Sequence, residues 1–178
     1  RSMKTTGIIK DDKTTRIIEA AVPVGVVLGI TPTTNPTSTV IHNAIIAVKA
    51  GNAIVFAPHP NAVKSSLAAA NLLHDAAVKA GAPVGLINCL SKVSMQATNE
   101  LMKSNETSVI VATGGSSMVR AAYSAGKPAF GVGPGNVPAF IERSADVRQA
   151  VKDIITSKTF DNGMICASEQ AIIADAPI

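Results

Sequence analysis

The chain has 178 residues, of which 47% are hydrophobic, and it carries 16 lysines and arginines against 12 aspartates and glutamates. This length and apolar content suit one domain, or one domain with part of another, and exclude an intrinsically disordered chain. No apolar run reaches about 18 residues without polar interruption, which excludes a transmembrane helix. The cations are scattered and the chain has one Tyr and no Trp, so no nucleic-acid partner is expected. Two cysteines, Cys89 and Cys166, are too few for a disulfide scaffold and indicate a reducing, cytoplasmic setting.

Apolar segments with the pattern of a β-strand alternate along the chain with segments that have the periodicity of a helix. Short β-branched runs predict strands that are buried on both faces, and the longer segments between them have helical periodicity and end at glycines such as Gly51 and Gly81. Asn61 is predicted to cap the second helix. The predicted strands cover residues 24–30, 53–57, 86–90, 108–112 and 137–141, and the predicted helices cover residues 37–50, 61–80, 94–103, 117–124 and 146–158.

Strands separated by helix-length segments predict right-handed βαβ crossovers and a parallel sheet. The expected fold class is therefore α/β, with a doubly wound, Rossmann-like sheet of the nucleotide-binding type. Residues 16–22 look like a strand without an obvious partner in the chain. We expect a leading segment of residues 1–22, a nucleotide-binding domain of residues 23–141, and in residues 142–178 the start of a second domain. Both ends look cut, so the chain is expected to be a fragment.

In such a sheet, ligands bind at the C-terminal ends of the strands. The loop of residues 31–36 follows the first predicted strand and offers hydroxyls and backbone N–H groups to a carbonyl oxygen, a phosphate or an oxyanion. The other interpretation of this loop is a helix cap built from Thr and Asn. After the fourth strand, Thr113, Gly114 and Gly115 permit close backbone approach. Neither this segment nor the stretch 131–135 is a G-x-G-x-x-G fingerprint.

Cys166 follows a predicted Asn-Gly turn and is a candidate nucleophile, which requires its thiolate form. The alternative is a small apolar residue buried in a loop. Cys89 lies inside an apolar strand and is predicted to belong to the core. The histidines are far apart and no C-x-x-C or H-x-x-x-H spacing occurs, so no metal site is expected. Of the histidines, His42 and His74 lie on predicted helices and are expected to be surface residues or core residues with satisfied hydrogen bonds. His59 lies in a loop, where it either borders the nucleotide site or has no role beyond the loop itself.

The segment 157–170, SKTFDNGMICASEQ, resembles the nucleophile segment of CoA-acylating aldehyde dehydrogenases, and most of all that of the aldehyde dehydrogenase half of bifunctional aldehyde-alcohol dehydrogenases. Other blocks resemble that family in the family's order, so the resemblance covers essentially the whole chain. These blocks are 31–38 (TPTTNPTS), 53–60 (AIVFAPHP), 113–115 (TGG) and 131–136 (GVGPGN). Because the family enzymes are considerably longer, the resemblance implies an internal fragment, with the NAD-binding domain in residues 23–141 and the start of the catalytic domain in residues 142–178.

The resemblance implies an oxidoreductase in which the Cys166 thiolate attacks a short aldehyde such as acetaldehyde to give a thiohemiacetal. Hydride then passes to NAD, and coenzyme A resolves the enzyme thioester to acyl-CoA; the reverse reaction reduces acyl-CoA. This chemistry needs a soft nucleophile, an oxyanion donor and a nearby nicotinamide. A homo-oligomer of the full-length protein is also implied. The cofactor-binding residues that the resemblance implies are Thr31, Pro32, Thr33, Pro58, His59, Thr113, Gly114, Gly115, Gly131 and Gly133.

The chain departs from the wider family at four positions, which are Gly131, Thr34, Ala57 and Pro60. Hydrolytic relatives carry a glutamate base in the block that matches Gly131, and without that base a thioester should persist until another thiol, such as CoA, arrives. Thr34 stands where relatives keep the oxyanion asparagine and Asn35 follows it, so either of the two can be the donor. In relatives, a lysine and a glutamate bind the adenosine ribose, and this chain has Ala57 and Pro60 at the matching positions. The choice between NAD and NADP as cofactor is therefore left open.

Two other functions remain open from the sequence. One is a non-catalytic nucleotide-binding α/β module that keeps only nucleotide or interdomain contacts. The other is an acyl-phosphate reductase, which shares the thioester but transfers it to phosphate; the segment 161–166 argues against this second alternative. In a fragment, apolar surface that the missing part normally covers is expected to be exposed and to promote association.

Overall fold

The structure is a computed structural model that describes residues 3–177. The chain divides into two compact units, Arg1–Gly133 and Pro134–Ile178. This division differs from the expected boundary between residues 141 and 142. The difference arises because the strand Val137–Ile141 pairs with a strand near the end of the chain and not with the central sheet.

The first unit begins with a two-stranded antiparallel ribbon of β1 (Gly7–Asp12) and β2 (Ile17–Ala21). The expectation that the strand at residues 16–22 has no partner in the chain is therefore wrong. The partner was missed because the sequence of β1, GIIKDD, ends in charged residues instead of alternating. An exposed ion pair between Lys10 Nζ and Glu19 Oε1, 3.5 Å apart, joins the two strands.

The central sheet of the first unit has five parallel strands in the order β5-β4-β3-β6-β7, which confirms the predicted doubly wound α/β fold. β7 was not predicted because it lies in a glycine-rich segment that lacks an apolar run. The strands are β3 (Val26–Thr31), β4 (Ala53–Pro58), β5 (Ile87–Cys89), β6 (Thr107–Thr113) and β7 (Ala129–Val132).

The helices of the first unit lie close to their predicted positions: α1 (Pro36–Lys49), α2 (Val63–Lys79), α3 (Met95–Lys103) and α4 (Ser116–Tyr123). The predicted cap is wrong, because Asn61 lies inside a short 3-10 turn, Pro60–Ala62, where its backbone N–H donates to His59 Nδ1 at 3.2 Å. Among residues 3–177, no helix is both long enough and apolar enough to cross a membrane.

The helices pack on both faces of the sheet and form two apolar clusters. On one face, α1 and α2 pack over β3, β4 and β5, and Ile54 and Phe56 are fully buried there. On the other face, α3 and α4 enclose Leu28, Ile110 and Ala112. Because helices contact both faces, the strand ends and the loops after them are held at one edge of a rigid sheet, where a ligand site is expected.

The second unit is a single βαβ crossover. β8 (Val137–Ile141) pairs in parallel with β9 (Glu169–Ala174), and α5 (Val147–Thr159) connects them. Asp146 caps α5 by accepting a hydrogen bond from the Gln149 N–H at 3.0 Å. Among the described residues of this unit, only Ile141 and Ser168 are buried, so it has almost no core of its own.

Candidate functional site

A cavity of about 370 Å³ lies at the C-terminal edge of the central sheet, within the size range of ligand pockets. The loops after β3, β4 and β6 form its walls, as the sheet topology predicts. Of the predicted cofactor-binding residues, Thr31, Pro32, Pro58, His59, Thr113, Gly114 and Gly115 line this cavity. Thr33, Gly131 and Gly133 are not among the lining residues.

Sequence reasoning missed one wall of the cavity. This wall comes from the loop after β5 and the start of α3, where Val93, Ser94, Met95 and Thr98 line the space. This wall could have been predicted from the sheet topology. β5 is parallel to β3, β4 and β6, so its C-terminal end reaches the same edge of the sheet. Ser94 also has a structural role, since its Oγ accepts the Ala97 N–H at 3.0 Å and caps α3.

Thr31, one of the residues that line the cavity, has a buried hydroxyl without a hydrogen-bond partner among the described residues. Its side chain is 2% exposed, and its Oγ1 has no hydrogen-bond partner within the described part of the chain. A buried hydroxyl without a partner costs free energy, which a bound acceptor or donor would recover. Gly115 is the N-cap residue of α4, and a Cβ atom added to it would meet nothing within 4 Å. The cavity therefore combines an unpartnered hydroxyl with open space before a helix N-terminus, a combination that fits a phosphate-containing ligand.

The loop that leads into α1 orients the side chain of Asn35. Thr34 Oγ1 donates a hydrogen bond to Asn35 Oδ1 at 3.2 Å, and the Asn35 carbonyl accepts from the Thr39 N–H at 3.1 Å. The side chain of Asn35 makes no capping hydrogen bond, although this residue is the N-cap of α1. The interpretation of this loop as a helix cap therefore holds for the position of Asn35, with Pro36 as the first residue of α1, but not for a capping hydrogen bond from the Asn35 side chain. With Oδ1 occupied, the amide Nδ2 of Asn35 is oriented to donate elsewhere.

Cys166 lies in the turn between a 3-10 segment, Phe160–Gly163, and β9. Its side chain is exposed, so the alternative of a thiol buried in a loop is wrong. Asp161 and Asn162, which precede it, have φ values of 51° and 53°, in the left-handed region that non-glycine residues rarely adopt. Strained backbone of this kind is often found at functional sites.

Gly135 permits a close approach that sequence reasoning did not anticipate. A Cβ atom built on Gly135 would lie 2.7 Å from the carbonyl oxygen of Cys166, which is closer than real Cβ contacts come. The segment before β8 therefore runs directly against the backbone of the candidate nucleophile. Only a residue without a side chain fits this position.

Cys89 differs from Cys166 in its environment. It lies at the end of β5, half-buried, and packs against the cluster under α1 and α2. Burial raises the pKa of the Cys89 thiol to about 11, so it is protonated at neutral pH. This agrees with the prediction that Cys89 belongs to the core and leaves Cys166 as the accessible thiol.

The histidines and acidic residues form no metal site within residues 3–177, where no three His, Cys, Asp or Glu side chains are suitably grouped. His74 has a structural role, because its Nε2 accepts the Gly85 N–H at 3.3 Å while Nδ1 lies 3.2 Å from Asp75 Oδ1. His42 is exposed on α1. Only His59 of the three lines the cavity.

Gly131, in β7, is covered by two side chains one turn apart on α4. A Cβ atom on Gly131 would lie 2.5 Å from Val119 Cγ1 and 2.9 Å from Tyr123 Cε2. The Tyr123 hydroxyl accepts the Gly131 N–H at 3.0 Å, so it satisfies an edge-strand donor. Val119 and Tyr123 thus occupy the volume that a side chain at position 131 would need.

Substituting Gly131→Ala is expected to lower the free energy of unfolding by about 1–3 kcal/mol, because the new methyl group overpacks against Val119 and Tyr123. Adding Val119→Ala should recover part of this loss, with a coupling energy of at least about 0.5 kcal/mol. Urea unfolding of the two single variants and the double variant measures the coupling. Additive losses would contradict the close packing.

Comparison with known proteins shows the family to which the chain belongs. The whole chain, residues 1–178, matches the aldehyde dehydrogenase family. The chain belongs to this family. It is 56% identical, over all of its 178 residues, to an aldehyde-alcohol dehydrogenase of Streptococcus pneumoniae, and it spans 20% of that protein.

Two solved structures of the family are also similar. An acetylating aldehyde dehydrogenase from Geobacillus thermoglucosidasius superposes with a TM-score of 0.93 and 60% identity, over 99% of this chain and 39% of the other. A Rhodopseudomonas palustris propionaldehyde dehydrogenase, solved with bound CoA and an acylated cysteine, superposes with a TM-score of 0.81 and 40% identity, over 88% of this chain and 36% of the other. The chain thus spans well under half the length of its relatives in the family.

Proposed function

We propose that this chain is part of a CoA-acylating aldehyde dehydrogenase, which interconverts a short aldehyde, CoA and NAD with acyl-CoA and NADH. The observation that carries the proposal is the exposed thiol of Cys166, in a chain 40% identical to an enzyme solved with bound CoA and an acylated cysteine. The 56% identity to an aldehyde-alcohol dehydrogenase supports the same reaction class. The proposed protein is cytoplasmic and homo-oligomeric, and the reducing cytoplasm would keep the Cys166 thiol free.

In the proposed reaction, Cys166 Sγ forms a bond with the aldehyde carbon, and the carbonyl oxygen becomes an oxyanion. Of the two candidate donors, we propose Asn35, because the hydroxyl of Thr34 is already donated to Asn35 Oδ1 and this bond leaves the amide nitrogen free to donate. Thr34 would then act as a positioning residue. A donor of this kind lowers the barrier by stabilising charge that develops on the oxygen.

The cavity at the sheet edge is the proposed cofactor site. Thr31, Gly114 and Gly115 would hold the dinucleotide through hydroxyl and backbone groups, and His59 would border it. When bound, NAD supplies the hydride acceptor that the oxidation requires. NAD is proposed over NADP because the walls that the structure shows carry no lysine or arginine to pair with a ribose phosphate.

Coenzyme A is the proposed acceptor of the acyl group. Position 131, where hydrolytic relatives of the family carry a glutamate base, holds a glycine whose surroundings leave no space for a side chain. Without a base to activate water, the enzyme thioester should persist until the thiol of CoA attacks it. The acyl group then leaves Cys166, whose thiol is regenerated.

The proposal can be tested with the longer protein by mixing it with acetaldehyde and NAD in the absence of CoA. A burst of NADH that matches the enzyme concentration is expected, followed by steady turnover only when CoA is added. Equal turnover with inorganic phosphate in place of CoA would favour the acyl-phosphate reductase instead. Absence of any NADH, with NAD still bound, would favour the non-catalytic nucleotide-binding module.

Substituting Thr31→Val tests the cofactor site. The change removes Oγ1 and keeps the shape of the side chain, so stability is expected to remain the same or to increase, since a buried unpaired hydroxyl disappears. The Kd for NAD should rise about 3- to 10-fold, the equivalent of one lost hydrogen bond. Isothermal titration with NAD measures it, and Ser66→Ala, which removes another buried unpartnered hydroxyl away from the cavity, is the control. An unchanged Kd would remove Thr31 from the proposed site.

A further inference from the structure

The segment that carries Cys166 connects the end of α5 to the start of β9. We call residues 160–168 the Cys166 loop. Three consecutive residues of this loop have positive φ values, and two of them, Asp161 and Asn162, are not glycines. A backbone in such a sparsely populated conformation persists only where surrounding interactions hold it. The contacts at the two ends of the loop therefore decide where the backbone of Cys166 lies.

A hydrogen bond between two side chains joins the ends of the Cys166 loop. Ser157 Oγ, in the last turn of α5, donates to Oε1 of Glu169, the first residue of β9, at 2.7 Å. The two residues are twelve positions apart in the chain, so their bond closes a ring that contains the whole loop. Closing the ends of a loop in this way reduces the number of conformations that the residues between them can adopt.

The carboxylate of Glu169 suits this role as an acceptor. The hydrogen bond from Ser157 is the largest of several causes that lower the pKa of Glu169, and the charge of Lys158 acts in the same direction. Glu169 is therefore ionised at neutral pH, and hydrogen bonds to ionised acceptors are stronger than those between neutral groups. Its second oxygen, Oε2, is buried and has no hydrogen-bond partner among the described residues. Packing around Oε2 restricts rotation of the carboxylate and helps to keep Oε1 directed at Ser157.

The Cys166 loop is packed tightly on both sides within the second unit. On one side, a Cβ atom on Gly163 would lie 3.2 Å from the carbonyl oxygen of Lys158, near the end of α5. On the other side, Gly135 precedes β8, the strand that pairs with β9, and a Cβ atom there would lie 2.7 Å from the Cys166 carbonyl oxygen. A bond that fixes α5 against β9 therefore also fixes the space that the loop occupies.

We propose that Glu169 is a positioning residue: its bond with Ser157 closes the Cys166 loop and holds the backbone of Cys166 where Sγ can reach the aldehyde carbon. The proposal rests on the proposed function, in which Cys166 is the nucleophile. Glu169 acts only as a hydrogen-bond acceptor, and no proton passes to or from it. Loosening the loop slows attack of the sulfur, because the reaction requires a defined approach to the carbonyl carbon.

Hydrogen–deuterium exchange of the longer protein tests closure of the loop without any substrate. Two N–H groups within the loop report its opening, since the Met164 N–H donates to a carbonyl oxygen at 3.1 Å and the Ser168 N–H donates to another at 3.0 Å. Ser157→Ala and Glu169→Ala are each expected to speed exchange in residues 160–168 at least about fivefold. Unchanged exchange in Glu169→Ala would overturn the proposal.

Asp175→Ala is the matched control for both experiments. Asp175 lies just past the other end of β9, where its Oδ2 accepts from the N–H of Arg143 at 3.1 Å and from Arg143 Nε at 3.3 Å. The control thus removes a carboxylate of the same unit that ties β8 to β9 without reaching the Cys166 loop. It should leave both the exchange of the loop and the rate of the NADH burst unchanged. Equal effects of Asp175→Ala and Glu169→Ala would show a general loosening of the unit and overturn the proposal.

The rate of the NADH burst tests the positioning role. Ser157→Ala and Glu169→Ala should each slow the burst about 10-fold while the Kd for NAD stays the same. The double variant should be no slower than the slower single variant, because both changes remove the same bond. Glu169→Gln keeps an oxygen that can accept from Ser157, so its burst should stay within about threefold of the unaltered protein.

Two kinetic results would overturn the proposal. A burst as slow in Glu169→Gln as in Glu169→Ala would mean that the charge of the carboxylate matters and not its hydrogen bond. Losses that multiply in the double variant would mean that Ser157 and Glu169 act independently. If the unaltered protein gives no burst at all, the proposed function fails, and the exchange experiment separately decides whether Ser157 and Glu169 close the loop.

Discussion

Replacing Cys166 by serine in the longer protein is expected to lower CoA-dependent NADH formation by at least about 10³-fold, because the serine hydroxyl is a far weaker nucleophile than a thiolate. The NADH burst without CoA should disappear at the same time. Stopped-flow absorbance at 340 nm measures both. The side chain is exposed, so the exchange of sulfur for oxygen should leave the folded state and the binding of NAD unchanged.

The matched control is Cys89→Ser, which makes the same chemical change at the other thiol. Cys89 is half-buried and its pKa is raised to about 11, so it supplies almost no thiolate at neutral pH. This variant should keep both the burst and the steady rate, with a modest loss of stability from a polar group in the core. If Cys89→Ser abolished the burst and Cys166→Ser did not, the assignment of the nucleophile would be wrong.

Substituting Gly135→Ala is expected to lower kcat by about 10- to 100-fold while the Kd for NAD stays the same. The added methyl carbon would lie 2.7 Å from the Cys166 carbonyl oxygen, so the backbone at position 135 or at Cys166, the proposed nucleophile, must shift. Attack requires the sulfur to approach the carbonyl carbon at a defined distance and angle. A small displacement of the sulfur from that position therefore lowers the rate of the chemical step. Single-turnover kinetics separates this acylation step from product release.

Gly29→Ala controls for a general loss of stability. A Cβ atom on Gly29 would lie 2.8 Å from a ring carbon of Phe56, so this variant introduces a similar overlap in β3, among residues that do not line the cavity. It should lower Tm and leave kcat of the folded protein unchanged. Equal losses of kcat in the two variants would show that Gly135 acts through stability and does not position Cys166.

Much of the fold could be predicted because its strands are short, apolar and separated by helices with clear ends. β3, β4 and β6 are buried runs of β-branched and alanine residues, and their parallel order follows from the crossovers between them. β1 and β7 were missed for a shared reason. Their sequences are rich in charge or glycine, and their strand conformation is stabilised by pairing with a neighbouring strand rather than by local preference.

The part of the candidate site that lies at the C-terminal ends of the strands could be predicted from the sequence. Thr31, Pro58 and Gly114 line one cavity because parallel strands place their C-terminal ends at one edge. The relation between Gly135 and Cys166 could not be predicted, because it depends on a contact across thirty residues of chain, formed only when β8 and β9 pair. The exposure of Cys166 is likewise a tertiary property that no pattern around a single cysteine reveals.

The βαβ unit that carries Cys166 is sparsely packed, and this affects how readily the backbone around the Cys166 thiol opens. With only Ile141 and Ser168 buried among the described residues of Pro134–Ile178, this unit has little to resist local opening, whereas the five-stranded sheet has two apolar clusters. Amide hydrogens of β9 should therefore exchange with solvent deuterium long before those of β3 and β4. A nascent chain would consolidate its five-stranded sheet first and acquire the geometry around Cys166, the proposed nucleophile, last.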